Sequence, residues 1–254
     1  MPKVAVVIPA RYASTRLPGK PLIPLAGKPL IQHVWERCSR ARGIDTVIVA
    51  TDDMRIAEAA RAFGAEVAMT SPKHRSGTDR VAEVAKKLRG VTHVINVQGD
   101  EPLVDPALIA KLAKTMIADR SIQMITAASV FGAGEDAANP NAVKVVSDRN
   151  GNALYFSRSL IPFLRGDGVR PVWRRHLGIY GYTTKFLLEF VKWKPSPLEL
   201  AESLEQLRAL ENGARIRVLS ARHAAVGVDT PEDVATVERL LAPVRARMRV
   251  QRRP

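Results

Sequence analysis

The chain has very little cysteine: Cys38 stands alone among 254 residues. An intrachain disulfide is therefore impossible and no Cys-based metal cluster can be built, a pattern that fits a reducing compartment. Aromatic residues are equally sparse, at 5%. They do not interleave with basic residues as a platform for stacked bases would require. Long apolar runs are missing too, and nothing approaches the ~18 residues of a membrane span. The opening MPKVAVVIPAR lacks a charged stretch followed by a long apolar core and a small-residue cleavage site, so a cytoplasmic protein is expected.

Positive charge is abundant, with a formal net charge of +14. Clustered Lys and Arg suit nucleic acid, because they neutralise phosphates and release counterions. Yet Arg245, Arg247, Arg249, Arg252 and Arg253 crowd into residues 245–254, after the final helical pattern, where a solvated tail is expected. A nucleic-acid-binding protein is thus the minor alternative. With 46% hydrophobic residues, the chain has material for one large α/β domain spanning 1–244.

Apolar runs alternate with helical periodicity through the first half. Val4–Pro9, Val47–Ala50, Glu66–Met69 and Val94–Val97 read as strands, and Leu30–Cys38, Ile56–Phe63 and Thr78–Leu88 as helices. This alternation predicts a doubly wound, mostly parallel sheet covered on both faces. Strand candidates then appear at Met124–Val130, Val143–Val146 and Leu177–Tyr182, with helices at Thr184–Trp193 and Pro197–Leu210. A smaller α+β lobe is expected around residues 150–215. The latter helix should stop at Asn212-Gly213, and Thr230-Pro231-Glu232-Asp233 should start the last one.

Ligands of such sheets collect at the carboxyl ends of the strands. There, Val4–Pro9 runs into Ala10-Arg11-Tyr12-Ala13-Ser14-Thr15-Arg16-Leu17-Pro18-Gly19-Lys20-Pro21-Leu22, too long and cationic for a plain connection. Gly19, Ser14, Thr15, Arg11, Arg16 and Lys20 supply uncrowded backbone N–H groups and fixed cations, the requirements of a phosphate loop. The GxxxxGK[ST] spacing is absent, so it is not a P-loop. Asp100 follows Val94–Val97 through Gly99, whose missing side chain allows a ligand to approach. Asp229 follows Val226–Val228 and precedes a helix. Two carboxylates from separate strand ends can share hard Mg²⁺ ions. Each also has a purely structural reading, Asp100 as a turn cap and Asp229 as the residue before the Thr230 cap. Ser76-Gly77-Thr78-Asp79-Arg80 reads, from its residues alone, as a helix start.

The loop ARYASTRLPGKPL resembles the signature of sugar-nucleotide cytidylyltransferases, in particular the branch acting on 3-deoxy-manno-octulosonate (Kdo). SGTDR at 76–80, VQGDEP at 97–102, PNAVKVV at 140–146, YFSR at 155–158, HLGIY at 176–180, LEQLRALE at 204–211 and GVDTPED at 227–233 resemble the same family in the same order. The resemblance implies a Rossmann-like nucleotidyltransferase that takes CTP and Kdo, needs Mg²⁺ and forms a homodimer through the smaller lobe. It assigns Arg11, Lys20, Asp100 and Asp229 to catalysis, the two aspartates as metal ligands. Ala10, Arg11, Ser14, Arg16, Gly19, Lys20, Ser76, Gly77, Thr78 and Arg80 would bind nucleotide. Gln98, Arg158, His176, Tyr180, Glu205 and Gln206 would bind sugar. Leu160 and Thr183 depart from the family pattern, which favours proline and arginine there. Composition does not separate CTP from UTP. Enzymes for N-acylneuraminate or an 8-amino Kdo variant are the nearest rivals. Apolar Phe186, Leu187, Phe190, Val191 and Trp193 exceed what a thin lobe should bury, so they are expected at a subunit interface.

Overall fold

The computed structural model describes residues 2–13, 17–132, 134–166, 171–223 and 226–241. In chain order the elements are β1 (Lys3–Ala10), β2 (Pro24–Leu25), β3 (Lys28–Pro29), α1 (Leu30–Ser39), β4 (Thr46–Thr51), α2 (Met54–Ala62), β5 (Glu66–Met69), α3 (Gly77–Lys87) and β6 (Val91–Asn96). The second half continues with α4 (Pro106–Ala118), β7 (Met124–Val130), β8 (Lys144–Ser147), β9 (Ala153–Ser157), β10 (Arg174–Thr183), α5 (Thr184–Phe190), α6 (Pro197–Glu202), α7 (Gln206–Glu211), β11 (Ile216–Ser220) and α8 (Pro231–Leu241).

The main sheet runs β11-β7-β10-β6-β1-β4-β5, with β8 and β9 attached beside β10. β6, β1, β4 and β5 are parallel neighbours, as the alternation predicts. β10 is antiparallel to both β6 and β7, and β11 returns parallel to β7. Along β1, side chains alternate between two cores, because successive strand residues face opposite sides. Val4, Val6 and Ile8 join a cluster with α1, α2, α4 and α8 on one face. Val7 joins a cluster with α3, α5 and α7 on the other.

Three expectations change. Phe186, Leu187 and Phe190 are buried in the second cluster, with Val191 and Trp193 packed against it, so the chain itself covers the face expected to meet a partner. The same cluster joins Phe156 and Leu207, within 150–215, to Val7, Ile48 and Val94 of the main sheet. The single helix expected over 197–210 is two helices, α6 and α7, broken where Ser203 adopts φ 52°. Val226–Val228 is not a strand, although Val228 N donates to the Asp100 carbonyl at 2.9 Å and anchors this segment to the ligand edge. Thr183, at the position where the family favours arginine, caps α5 by accepting from Phe186 N at 3.2 Å.

Candidate active site

The carboxyl ends of β1 and β6, the start of α3 and the segment before α8 enclose a cleft of about 360 Å³. Ala10, Arg11, Lys20, Ser76, Gly77, Arg80, Gln98, Asp100 and Asp229 line it. The long loop after β1 is closed by Gly19, whose N–H donates to the Tyr12 carbonyl at 3.0 Å. Gly19 has φ 69°, and a Cβ there would also meet the Tyr12 ring at 3.1 Å. Immediately afterwards Lys20 opens a 3₁₀ turn over Lys20–Leu22 that turns its side chain across the strand ends. Ser14 and Arg16 lie outside the described residues, as does the basic tail 245–254.

Lys20 Nζ sits 2.6 Å from Asp100 Oδ2 and 3.0 Å from Asp229 Oδ1. Burial alone would lower the pKa of this ammonium, but the two carboxylates outweigh it and hold the pKa above its ordinary value. The contacts also show that Asp100 and Asp229, 129 positions apart in sequence, reach one point. Two converging carboxylates suit Mg²⁺, which typically takes one or two and completes its shell with phosphate oxygens and water. Among the described residues no cluster of three or more His, Cys, Asp or Glu side chains is placed for a metal. Beside Asp100, burial lifts the Glu101 carboxyl to about 8, with the Asp100 charge adding to the rise and Arg175 opposing it.

Gly99 lines the cleft, and packing also requires it: a Cβ there would lie 2.8 Å from the Pro9 carbonyl oxygen. The glycine lets the β6 exit pass against β1. Ser76 is a genuine helix cap, exchanging bonds with Asp79 at 3.1 and 3.2 Å, and it lines the cleft as well. The turn is thus a helix cap whose Ser76 and Gly77 also form part of the cleft wall.

The expected sugar residues divide. His176 and Tyr180 share one face of β10, with ring centroids 5.4 Å apart. β10 shifts register between Leu177 and Tyr180, and Thr126 of β7 fills the irregularity. Thr126 Oγ1 lies 2.8 Å from the Ile179 carbonyl and 3.0 Å from His176 Nε2. The carbonyl can only accept, so the hydroxyl proton goes to it and Nε2 is the imidazole's donor. His176 as a residue keeps some exposure, yet Phe156, Tyr180 and Thr126 enclose its ring; burial pushes its pKa down to about 3. Glu205 accepts from Thr78 Oγ1 at 2.5 Å, Ser76 Oγ at 3.1 Å and Arg208 Nη2 at 2.8 Å, tying α7 to the start of α3. Gln206 is buried with no aligned partner for Nε2 among the described residues. Gln98 lines the same cleft, its Nε2 donating to Asn96 Oδ1 at 3.3 Å. Arg158 stands apart: its guanidinium donates to the carbonyls of Glu202 at 2.7 Å and Pro140 at 3.1 Å.

His74, Asn96 and Thr126 escaped the sequence reading. His74 lines the cleft, and its Nε2 lies 2.6 Å from Glu83 Oε2. Lys87, the Ser71 N–H and His74 together depress the Glu83 carboxyl to about 2. Its place two residues before Ser76, at a strand-to-helix turn, was the available signal. Asn96 and Thr126 sit inside strands, where nothing in the local sequence marks them.

The model of the family described as cytidylyltransferase matches residues 5–216. The chain belongs to this cytidylyltransferase family. Within it, the similar curated relatives are the 3-deoxy-manno-octulosonate cytidylyltransferases. That of Geobacter sulfurreducens is 50% identical over 244 residues, covering 92% of this chain and 97% of its own. That of Marinobacter nauticus is 52% identical over 253 residues, covering 93% and 96%. A solved CMP:2-keto-3-deoxy-manno-octonic acid synthetase complexed with CTP superposes with a TM-score of 0.90 at 44% identity, covering 94% of this chain and 98% of its own. A 4-diphosphocytidyl-2C-methyl-D-erythritol synthase from Anaerococcus prevotii, at 15% identity and TM-score 0.62, shares the fold.

Proposed function

We propose that the protein transfers CMP from CTP to the anomeric 2-hydroxyl of Kdo, giving CMP-Kdo and pyrophosphate for lipopolysaccharide biosynthesis, as a Mg²⁺-dependent cytoplasmic enzyme. The observation that carries this reading is the meeting of Lys20, Asp100 and Asp229 at the mouth of a cleft walled by the loop after β1 and the start of α3. The names of the curated relatives support the sugar, and the CTP-bound synthetase supports the nucleotide.

Attack of the 2-hydroxyl on the α-phosphorus needs positioning and charge stabilisation more than covalent chemistry. Arg11 and Lys20 offset charge on the phosphates, and the free N–H groups at the start of α3 receive an anionic or polar edge. Asp100 and Asp229 are the residues that would hold Mg²⁺, which would supply polarisation of phosphate oxygens and acidification of a bound hydroxyl. Lys20 then gives up at least one of its carboxylate contacts and turns to the triphosphate. Asp229, whose side chain is 51% exposed, takes the proton of the sugar hydroxyl and can pass it to solvent.

Pyrophosphate release with CTP or UTP against Kdo or N-acetylneuraminate tests the proposal. Release requiring CTP and Kdo together is expected. Activity with a different sugar alone would retain the chemistry and reassign the acceptor; activity with no pair, in folded protein, would overturn the reading.

A homodimer belongs to the same proposal, on a different apolar set from the one the sequence suggested. Leu154, Phe163, Val172 and Leu200 are 62%, 82%, 68% and 67% exposed, and all lie within 150–215.

A further inference from the structure

Tyr12 stands at the neck of the loop after β1, immediately after Arg11 and, across the loop, against Gly19, the residue before Lys20. Its carbonyl accepts from Gly19 N, and its ring packs on Gly19 so closely that a side chain there would collide with it. The face of the same ring carries the Arg55 guanidinium, whose Cζ lies 3.4 Å from the ring centroid. A cation in that position is attracted by the negative face of the ring.

Arg55 is itself fixed. It is the second residue of α2, and its Nε and Nη2 donate to Asp53 Oδ1 and Oδ2 at 3.0 and 2.6 Å. Asp53 also caps α2 by accepting from Arg55 N at 3.0 Å. A two-pronged pair of this kind sets the plane of a guanidinium as well as its position. The fork spends one edge of Arg55 on Asp53 and leaves the group stacked on Tyr12. α2 also packs against the 3₁₀ turn over Lys20–Leu22, so helix and loop meet at both ends of this contact.

Neither Tyr12 nor Arg55 lines the cleft, whereas Arg11 and Lys20, their neighbours along the loop, do. We infer that Tyr12 and Arg55 are positioning residues: their stack, anchored by Asp53 on α2, latches the neck of the anion loop and presets Arg11 and Lys20 for a polyphosphate. The inference rests on the CTP reading proposed above. Without the latch the loop must be ordered when the polyphosphate binds, and that ordering entropy is subtracted from affinity. Once bound, the same contacts form, so the loss belongs to binding and not to kcat.

The experiment titrates inorganic triphosphate calorimetrically and measures kcat and the KM of CTP and of Kdo. It compares Arg55→Ala, Tyr12→Leu, Tyr12→Phe and the Arg55→Ala/Tyr12→Leu double variant with the parent, after thermal melting confirms that each is folded. The Arg55 side chain is 58% exposed, so its truncation should leave the fold intact. Arg55→Ala and Tyr12→Leu should each weaken triphosphate binding and raise the CTP KM about threefold, the scale of a partly exposed cation–π pair. The Kdo KM and kcat should stay within about twofold, and Tyr12→Phe, which keeps the ring, should behave like the parent. The double variant should lose no more than either single variant, because both remove one contact. Additive losses, about ninefold in the double variant, would make Arg55 a direct phosphate cation and overturn the inference, as would parental triphosphate binding by folded Arg55→Ala. Should Tyr12→Leu fail to fold, Tyr12→Met completes the cycle. Triphosphate binding is read without turnover. A parent that binds triphosphate but releases no pyrophosphate from CTP and Kdo therefore counts against the proposed function, and an active parent whose variants bind triphosphate as it does counts against the latch.

Discussion

At the residue scale, the site depends on a few side chains whose charge is set by neighbours. Asp229 combines exposure with contact to Lys20 and is assigned both metal binding and proton acceptance. Asp229→Asn should lower kcat at least a hundredfold, in the usual range for loss of general base catalysis, and weaken the dependence on Mg²⁺. Steady-state pyrophosphate release over a Mg²⁺ titration checks this, and near-normal turnover would remove Asp229 from the chemistry. His176 gives a prediction of a different kind. Its folded pKa of about 3 lies below the ordinary 6.5, so between these values the unfolded chain binds the proton that the folded chain refuses. Stability should therefore fall as pH drops from 6.5 towards 3, with a limiting slope near ~1.4 kcal/mol per pH unit from this residue. Denaturant melts of the parent and His176→Gln across that window should show a shallower pH dependence in the variant.

At the element scale, the sheet tolerates little change where backbones pass closely. Gly99→Ala would place a Cβ 2.8 Å from the Pro9 carbonyl, and Gly181→Ala would place one 2.7 Å from both Ile125 Cγ2 and Met116 Sδ. Each should destabilise by about 1–3 kcal/mol through overpacking, read as a lower midpoint in denaturant melts. Gly99→Ala should also reduce turnover, because the backbone it displaces carries Asp100. The boundaries of elements followed local chemistry where local chemistry decided them. Ser76, Asp79, Thr183 and Asn212-Gly213 start or stop helices as caps do, through bonds within three or four residues. α4 went unassigned in the sequence reading, although Asp105 before Pro106 is a helix start; its side chain accepts from Ala107 N at 2.9 Å. The break at Ser203 had no such marker, since serine seldom adopts φ 52° and only the packing of α6 and α7 against the rest of the chain selects it.

At the scale of the whole molecule, apolar surface and the basic tail make separable predictions. If the exposed apolar residues Leu154, Phe163, Val172 and Leu200 mediate a homodimer, sedimentation at micromolar concentration should give twice the chain mass, and Phe163→Asp should give a single chain mass. A parent that sediments as one chain would refute the dimer. Deleting residues 245–254 should leave turnover nearly unchanged, because those residues follow the last site motif. A deletion that abolishes activity, or tight salt-dependent nucleic-acid binding that vanishes with it, would favour the binding-protein alternative.

What the sequence determined by itself was local and periodic. The alternation of apolar runs with helical spacing specified the parallel half β6-β1-β4-β5, because a strand buried on both faces and a helix covering it leave different periods. The density of cations after β1 marked the anion loop, and family-like motifs named most of the residues that line the cleft. Tertiary structure decided everything that depends on residues far apart meeting. It placed Lys20 between Asp100 and Asp229, spent the Arg158 guanidinium on main-chain carbonyls, folded Phe186, Leu187 and Phe190 into the chain's own core, and set the Arg80 guanidinium against Asp52 and Thr70. A sequence pattern records which face of an element is apolar, whereas the partner of a charged or aromatic side chain is fixed only when separate strand ends arrive at one edge of the sheet.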